Sequence, residues 1–166
     1  YTSGMLTSYP SFAQTYGYFE IRADMPEDYG TWPAFWLLPA DGSWPPELDV
    51  IEKIGEQPNR LILTSHSAAS GEHEVDTNYA DIADSEGFHS YGVLWGPEQI
   101  SWTYDGVVVA TTETPAPVKT SAMKAKASTR STFEPRSTWS TARSTPISAC
   151  GCSTSKSACH SRPRTR

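Results

Sequence analysis

Pro46-Glu47-Leu48-Asp49-Val50-Ile51-Glu52-Lys53 places three carboxylates within six residues and interleaves them with Leu48, Val50 and Ile51. Those apolar types suit a pleated strand. In a regular strand Glu47 and Asp49 share one face, and Glu52, at odd spacing from both, points to the other. One extra residue bulged out at Val50-Ile51 returns Glu52 to the side of its partners. The result is a row of three acids on one face. Like charges so placed repel, so stability alone does not favour the row, and a function is the natural reason for it.

The chain has 166 residues, which suits one domain with a sizeable core. Its net charge of −6 hides an asymmetry. Residues 1–115 hold Arg22, Lys53 and Arg60 against 18 acids, whereas residues 116–166 hold 10 basic residues against Glu134 alone. Of those last 51 residues, 19 are Ser or Thr, and Cys150, Cys152 and Cys159 also lie there. The expected division is therefore an acidic, aromatic-rich domain over 1–117 and a basic Ser/Thr/Arg-rich tail over 118–166 without ordered elements. The first part needs no disulfide. No apolar run is long enough to span a membrane, which argues against a membrane partner. No signal peptide is visible, and a chain that opens at Tyr1 reads as a piece of something longer.

Short strands separated by turns follow from the rest of residues 1–115. Tyr16 to Ala23 alternates Phe19 and Ile21 against Glu20 and Arg22, and Trp32 to Leu38 is almost wholly apolar. Arg60 to His66, Phe88 to Trp95 and Gln99 to Tyr104 continue the pattern. Asp105-Gly106 is a two-residue hairpin signal before Val107 to Thr112. Residues 67–87 read as a long polar loop. With no helical periodicity, the pattern predicts an all-β antiparallel sandwich or jelly roll.

Two carboxyl groups roughly 5–5.5 Å apart are what a retaining glycosidase needs, one as nucleophile and one as acid/base. With a bulge, Glu47 and Glu52 stand about 13 Å apart at the backbone, and side chains leaning toward a common substrate close that gap. Asp49, between them, helps to hold their pKa values apart. The competing readings are a solvated acidic strand face and a divalent metal site, the latter without supporting His, Cys or calcium-loop spacing. Trp32, Trp36 and Trp44 all precede Glu47 closely, with Tyr29 beside them, and sugar C–H faces pack on such rings. Trp36 suits core or cleft wall equally, Trp44 suits an exposed functional place, and Trp95 and Trp102 suit the core. His66, ending a strand, fits a hydrogen-bonded structural role better than a catalytic one, and His73 and His89 carry no signal. The tail's Cys150-Gly151-Cys152 and Cys159-His160 match no ordinary zinc spacing. Its basic charge, without interleaved aromatics, does not make a nucleic-acid partner.

Glu47-Leu48-Asp49-Val50-Ile51-Glu52 resembles the active-site motif of glycoside hydrolase family 16 in its bulged form, E-x-D-x-x-E. Gly17 to Ala23 is similar to the family's strand before the cleft, Gly30 to Pro39 to its Trp-rich wall, and Phe88 to Gly106 to its later strands. The resemblance covers residues 1 to about 115. It implies a concanavalin A-like β-jelly roll and retaining endo-hydrolysis of a polysaccharide. The expected substrate is a β-1,3 or mixed β-1,3-1,4 glucan or a related bacterial exopolysaccharide, as in laminarinase-type members. By position Glu47 is the expected nucleophile, Glu52 the acid/base and Asp49 the assisting residue. Trp32, Trp36, Trp44 and His66 match positions near the sugar subsites. The resemblance further implies a secreted monomer with no catalytic cofactor. The family's structural calcium ion finds no assignable residues here.

Two departures accompany the match. Family members carry strands before the equivalent of Tyr1, and after about Pro117 they continue with apolar strands where this chain turns to Lys119-Thr120-Ser121 and Ser/Thr/Arg repeats. A sandwich lacking strands at both ends and a reading-frame shift near residues 115–122 are the expectations; translation of the coding DNA in its other two frames tests the latter. A non-catalytic carbohydrate-binding sandwich and an inactive fragment are the alternative functions.

Overall fold

The computed structural model describes residues 3–116, 118 and 121–131. Ten strands follow one another: β1 Ser3–Thr7, β2 Gly17–Asp24, β3 Thr31–Pro39, β4 Glu47–Glu52, β5 Arg60–Ser67, β6 Glu74–Asp81, β7 Phe88–Trp95, β8 Gln99–Tyr104, β9 Val107–Glu113 and β10 Met123–Ser131. They form two antiparallel sheets, ordered β1-β10-β3-β4-β5-β6 and β2-β7-β8-β9. Among the described residues no α-helix occurs, so none crosses a membrane as a helix.

Alternation along each strand divides the residues between core and surface. In β3, Phe35 and Leu37 are buried, while Trp32 is exposed and Trp36 half-buried. In β5, Leu61, Leu63, Ser65 and Ser67 point inward, leaving Ile62 and His66 half-buried on the opposite face. The second sheet answers with Phe19, Tyr91, Val93, Trp95, Ile100 and Trp102 in the same core. Trp95 and Trp102 are thus core residues. Full burial of each Leu, Ile or Val contributes about 1.5–3 kcal/mol, and this apolar layer holds the sheets together.

Three elements differ from the sequence reading. β1 lies ahead of the first expected strand; all five of its residues are exposed, so no buried face patterns it. β6 falls within the stretch read as a loop. It is an edge strand, and its Glu, Asp and Asn leave no buried stripe to betray it. β10 lies beyond Pro115, where no ordered element was expected. Met123-Lys124-Ala125-Lys126-Ala127 does alternate, but its apolar side is mostly alanine, which gives a weak pattern among so many lysines and hydroxyls. The strand runs between β1 and β3, pairing Lys126 with Trp36. Residues 132–166, with Cys150, Cys152, Cys159 and His160, lie outside the described residues.

The connections bear on the site as well. Lys53, directly after β4, is fully buried, and its Nζ donates to Glu27 Oε1 at 2.8 Å. A backbone bond from Lys53 N to Pro33 O and another from Gly55 N to Thr31 O tie the end of β4 to the start of β3. Gly55 has no room for a side chain, because a Cβ there would run into Asp28 O and Thr31 Oγ1.

Candidate active site

β4 lies between β3 and β5, and its register slips by one residue against both. On the β3 side Phe35 pairs with Ile51 and Trp36 with Asp49, which leaves Val50 without a partner. On the β5 side Asp49 pairs with Thr64 and Glu52 with Ile62, so Val50 and Ile51 together face Leu63. The bulge expected at Val50-Ile51 is therefore present. Both residues are buried, and this burial holds the extra residue in place. The core fastens the bulge from below, since Trp102 Nε1 donates to the Asp49 carbonyl at 2.8 Å.

Each of the three acids has its own partner on the cleft face. Trp44 Nε1 donates to Glu47 Oε2 at 2.7 Å. Trp32 Nε1 donates to Glu52 Oε1 at 2.9 Å. His66 Nε2 lies 3.2 Å from Asp49 Oδ2. Trp36 pairs across the strands with Asp49, and Lys126 Nζ sits 6.0 Å from the centre of its ring. Trp32 and Trp44 keep about half their surface exposed, 48% and 55%. Trp36 is half-buried on the face of the acids and is not among the core residues.

The electrostatics separate the acids. Burial first, and then the neighbouring charges of Asp49 and Glu47, push Glu52 up to about 7 against the bond from Trp32. Burial also raises Glu47, but its bond from Trp44, His66 and Lys126 oppose the rise. Glu52 is thus the carboxyl whose surroundings press it toward the protonated form, while Glu47 has three partners that favour its ionised form. Burial raises Asp49 against the pull of His66, while the bond to Asp49 raises His66 against its own burial. Asp49 and His66 behave as a pair that holds a proton between them.

The sequence-selected residues Glu47, Asp49, Glu52, Trp32, Trp36, Trp44 and His66 all lie at this one face. Tyr29 is exposed in the connection between β2 and β3. Two further residues reach the site without having been singled out. Lys126 belongs to the unforeseen β10. His73, from the turn between β5 and β6, places Nε2 3.0 Å from His66 Nδ1. No local motif marks either one. His89 is elsewhere, bonded to Asp105 at 2.7 Å and to the Glu86 carbonyl, where it braces the β8–β9 turn. Among the described residues, no group of three or more His, Cys, Asp or Glu side chains has a metal-holding arrangement.

Known proteins share this arrangement of strands. The model of "Glycosyl hydrolases family 16" matches residues 1–147. Two relatives from Rhizobium meliloti (strain 1021), the endo-1,3-1,4-beta-glycanases ExsH and EglC, are 60% and 59% identical over 116 residues, covering 70% of this chain. The chain spans only 25% of the length of either relative. The laminarinase from Flavobacterium sp. UMI-01 superposes with a TM-score of 0.68 at 26% identity, over 75% of this chain and 59% of that one. The two sheets are accordingly those of a β-jelly roll. The chain belongs to glycosyl hydrolase family 16.

Proposed function

We propose that this cleft hydrolyses internal bonds of a β-1,3 or mixed β-1,3-1,4 glucan, or of a related bacterial exopolysaccharide, with retention of configuration. The observation that carries the reading is the bulge, which brings Glu47, Asp49 and Glu52 to one face, where burial and the neighbouring acids push Glu52 up to about 7 and Trp44, His66 and Lys126 oppose the rise of Glu47. Similarity to two endo-1,3-1,4-beta-glycanases supports the choice of linkage.

The Glu47 carboxylate attacks the anomeric carbon while the Glu52 proton passes to the departing glycosidic oxygen. The products of this step are a glycosyl ester on Glu47, a free hydroxyl on the leaving sugar and an ionised Glu52. Glu52 then takes a proton from water, whose oxygen displaces Glu47 from the same carbon and restores the first configuration. Asp49 lies between the two and opposes ionisation of both, with His66 balancing its charge. Trp44 and Trp32 aim the two reacting carboxyls with their N–H groups and offer ring faces to sugars. One chain supplies all three acids, so the reading requires no second subunit. A polysaccharide substrate places the protein outside the cell.

Incubation with β-1,3 and mixed-linkage glucans tests the proposal. Reducing ends should appear from at least one of them, and Glu47→Gln should abolish their release while retaining binding. Binding without reducing ends in the unaltered chain would replace the enzyme by a carbohydrate-binding sandwich. Absence of both would mark an inactive fragment.

A further inference from the structure

His73 touches two members of the site at once. Its Nε2 is 3.0 Å from His66 Nδ1, and its ring centre is 4.8 Å from that of Trp44. The two imidazole planes differ by 17° with centres 5.3 Å apart. A nitrogen contact of 3.0 Å at that separation means rings meeting edge to edge in a shared plane, joined by one hydrogen bond. The chain Asp49 Oδ2, His66 Nε2, His66 Nδ1, His73 Nε2 is therefore continuous.

We propose that His73 is a positioning residue, which holds His66 by its Nδ1 so that Nε2–H faces Asp49, and which limits the imidazole pair to a single extra proton. This rests on the proposed role of Asp49 between the two glutamates. Two arrangements satisfy the contacts. With both rings neutral, His66 donates from Nε2 to Asp49 and accepts at Nδ1 from His73 Nε2–H. With one proton added, His66 donates from both nitrogens and His73 presents a bare Nε2. A second proton would set N–H against N–H and break the link. His73 is exposed, so it has room to leave when that happens.

The charged surroundings favour a protonated His66. Glu47, Asp49 and Glu52 face His66 from β4, and each raises its basicity. Val75, which pairs with His66 on β6, adds no charge. Lys126, from β10, acts on Glu47. Beside His73 in sequence, Glu72 is exposed and Glu74 accepts a bond from Ser67 Oγ at 3.2 Å. Metal-ligating residues are not involved, and no solvent-inaccessible group has to move.

Nitrogen-15 NMR of the imidazoles in the full chain tests this directly. In the unaltered protein His66 should show a single tautomer with Nε2 protonated at high pH. His73→Ala should mix the two tautomers and lower the His66 titration midpoint by about half a pH unit or more, since the imidazolium loses its acceptor. His73→Gln supplies both an acceptor and a donor, and should restore the unaltered behaviour. In hydrolysis, His73→Ala should lower kcat more than it raises KM, and His73→Gln should restore kcat. Unchanged His66 signals in His73→Ala would overturn the proposal, even if hydrolysis fell, because His73 would then be no more than a substrate contact. If the unaltered chain releases no reducing ends, the NMR result still decides the His73 proposal, and only the proposed function is lost.

Discussion

The indole N–H of Trp102 reaches up from the sealed core to the carbonyl oxygen of Asp49 at 2.8 Å. It meets the backbone at the residue where β4 leaves its regular register. A bulge frees backbone groups that a regular ladder would pair. Here a core side chain from the opposite sheet satisfies one of them, so the packing of the sandwich and the alignment of the acids are a single structural fact.

Trp102→Phe keeps most of the ring but leaves the Asp49 carbonyl without its donor. Loss of a buried hydrogen-bond partner costs about 1–3 kcal/mol. Urea unfolding should show that loss, and kcat should fall more than KM rises because the acids, not the sugar contacts, are disturbed. A variant with unchanged stability and kcat would mean that the bulge holds itself.

The two tryptophan N–H groups should shift opposite limbs of the pH profile. Each bond favours the ionised carboxylate it touches. Trp32→Phe should therefore raise Glu52 further and move the alkaline limb of kcat/KM to higher pH. Trp44→Phe should raise Glu47 and move the acid limb upward. Measurement of kcat/KM against pH in both variants distinguishes the roles of the two glutamates; equal movement of one limb by both variants would contradict the assignment.

Glu52 has a stability signature of its own. Its folded pKa, about 7, lies above its unfolded value, so the folded state binds more protons between the two. Stability should fall as pH rises through that window, and Glu52→Gln should relieve the fall. The gain should be on the order of 1 kcal/mol at pH 8, after allowance for partial exposure, and absent near pH 4. Thermal melts of both proteins across this range check it.

Lys53 and Glu27 give a contrasting prediction. Lys53 is fully buried and its partner is partly exposed, at 27%. Glu27→Ala would leave a buried ammonium unpaired and should destabilise by about 3 kcal/mol. Lys53→Met removes the charge and keeps the volume, and it should cost less. The pair lowers the pKa of Glu27, so its stabilisation should be present above the ordinary glutamate range and lost as pH falls through the lowered value. Chemical denaturation of the two variants at neutral pH ranks them.

Much of this was legible in the sequence, for a physical reason: residues that pattern a sandwich strand are those with one buried face. β2 and β8 alternate large apolar residues with polar ones, β3 is an almost wholly apolar run, and the three acids of β4 share a face only if Val50 or Ile51 is extra. The unread parts lack that contrast. β6 has no fully buried residue, with Val75 and Tyr79 exposed, β1 is exposed throughout, and β10 sets alanines against lysines in a stretch whose composition suggests disorder. Lys126 was hidden with β10. His73 was hidden because the turn that returns it to His66 has no pattern of its own, and the pairing is visible only in three dimensions.

The stereochemistry of the first product tests the central claim most directly. Proton NMR of the anomeric signals during hydrolysis of a mixed-linkage β-glucan should show the β-anomer first, with the α-anomer growing later by mutarotation. Initial appearance of the α-anomer, or sugar release that persists in Glu47→Gln, would contradict the assignment of Glu47 as nucleophile and Glu52 as acid/base.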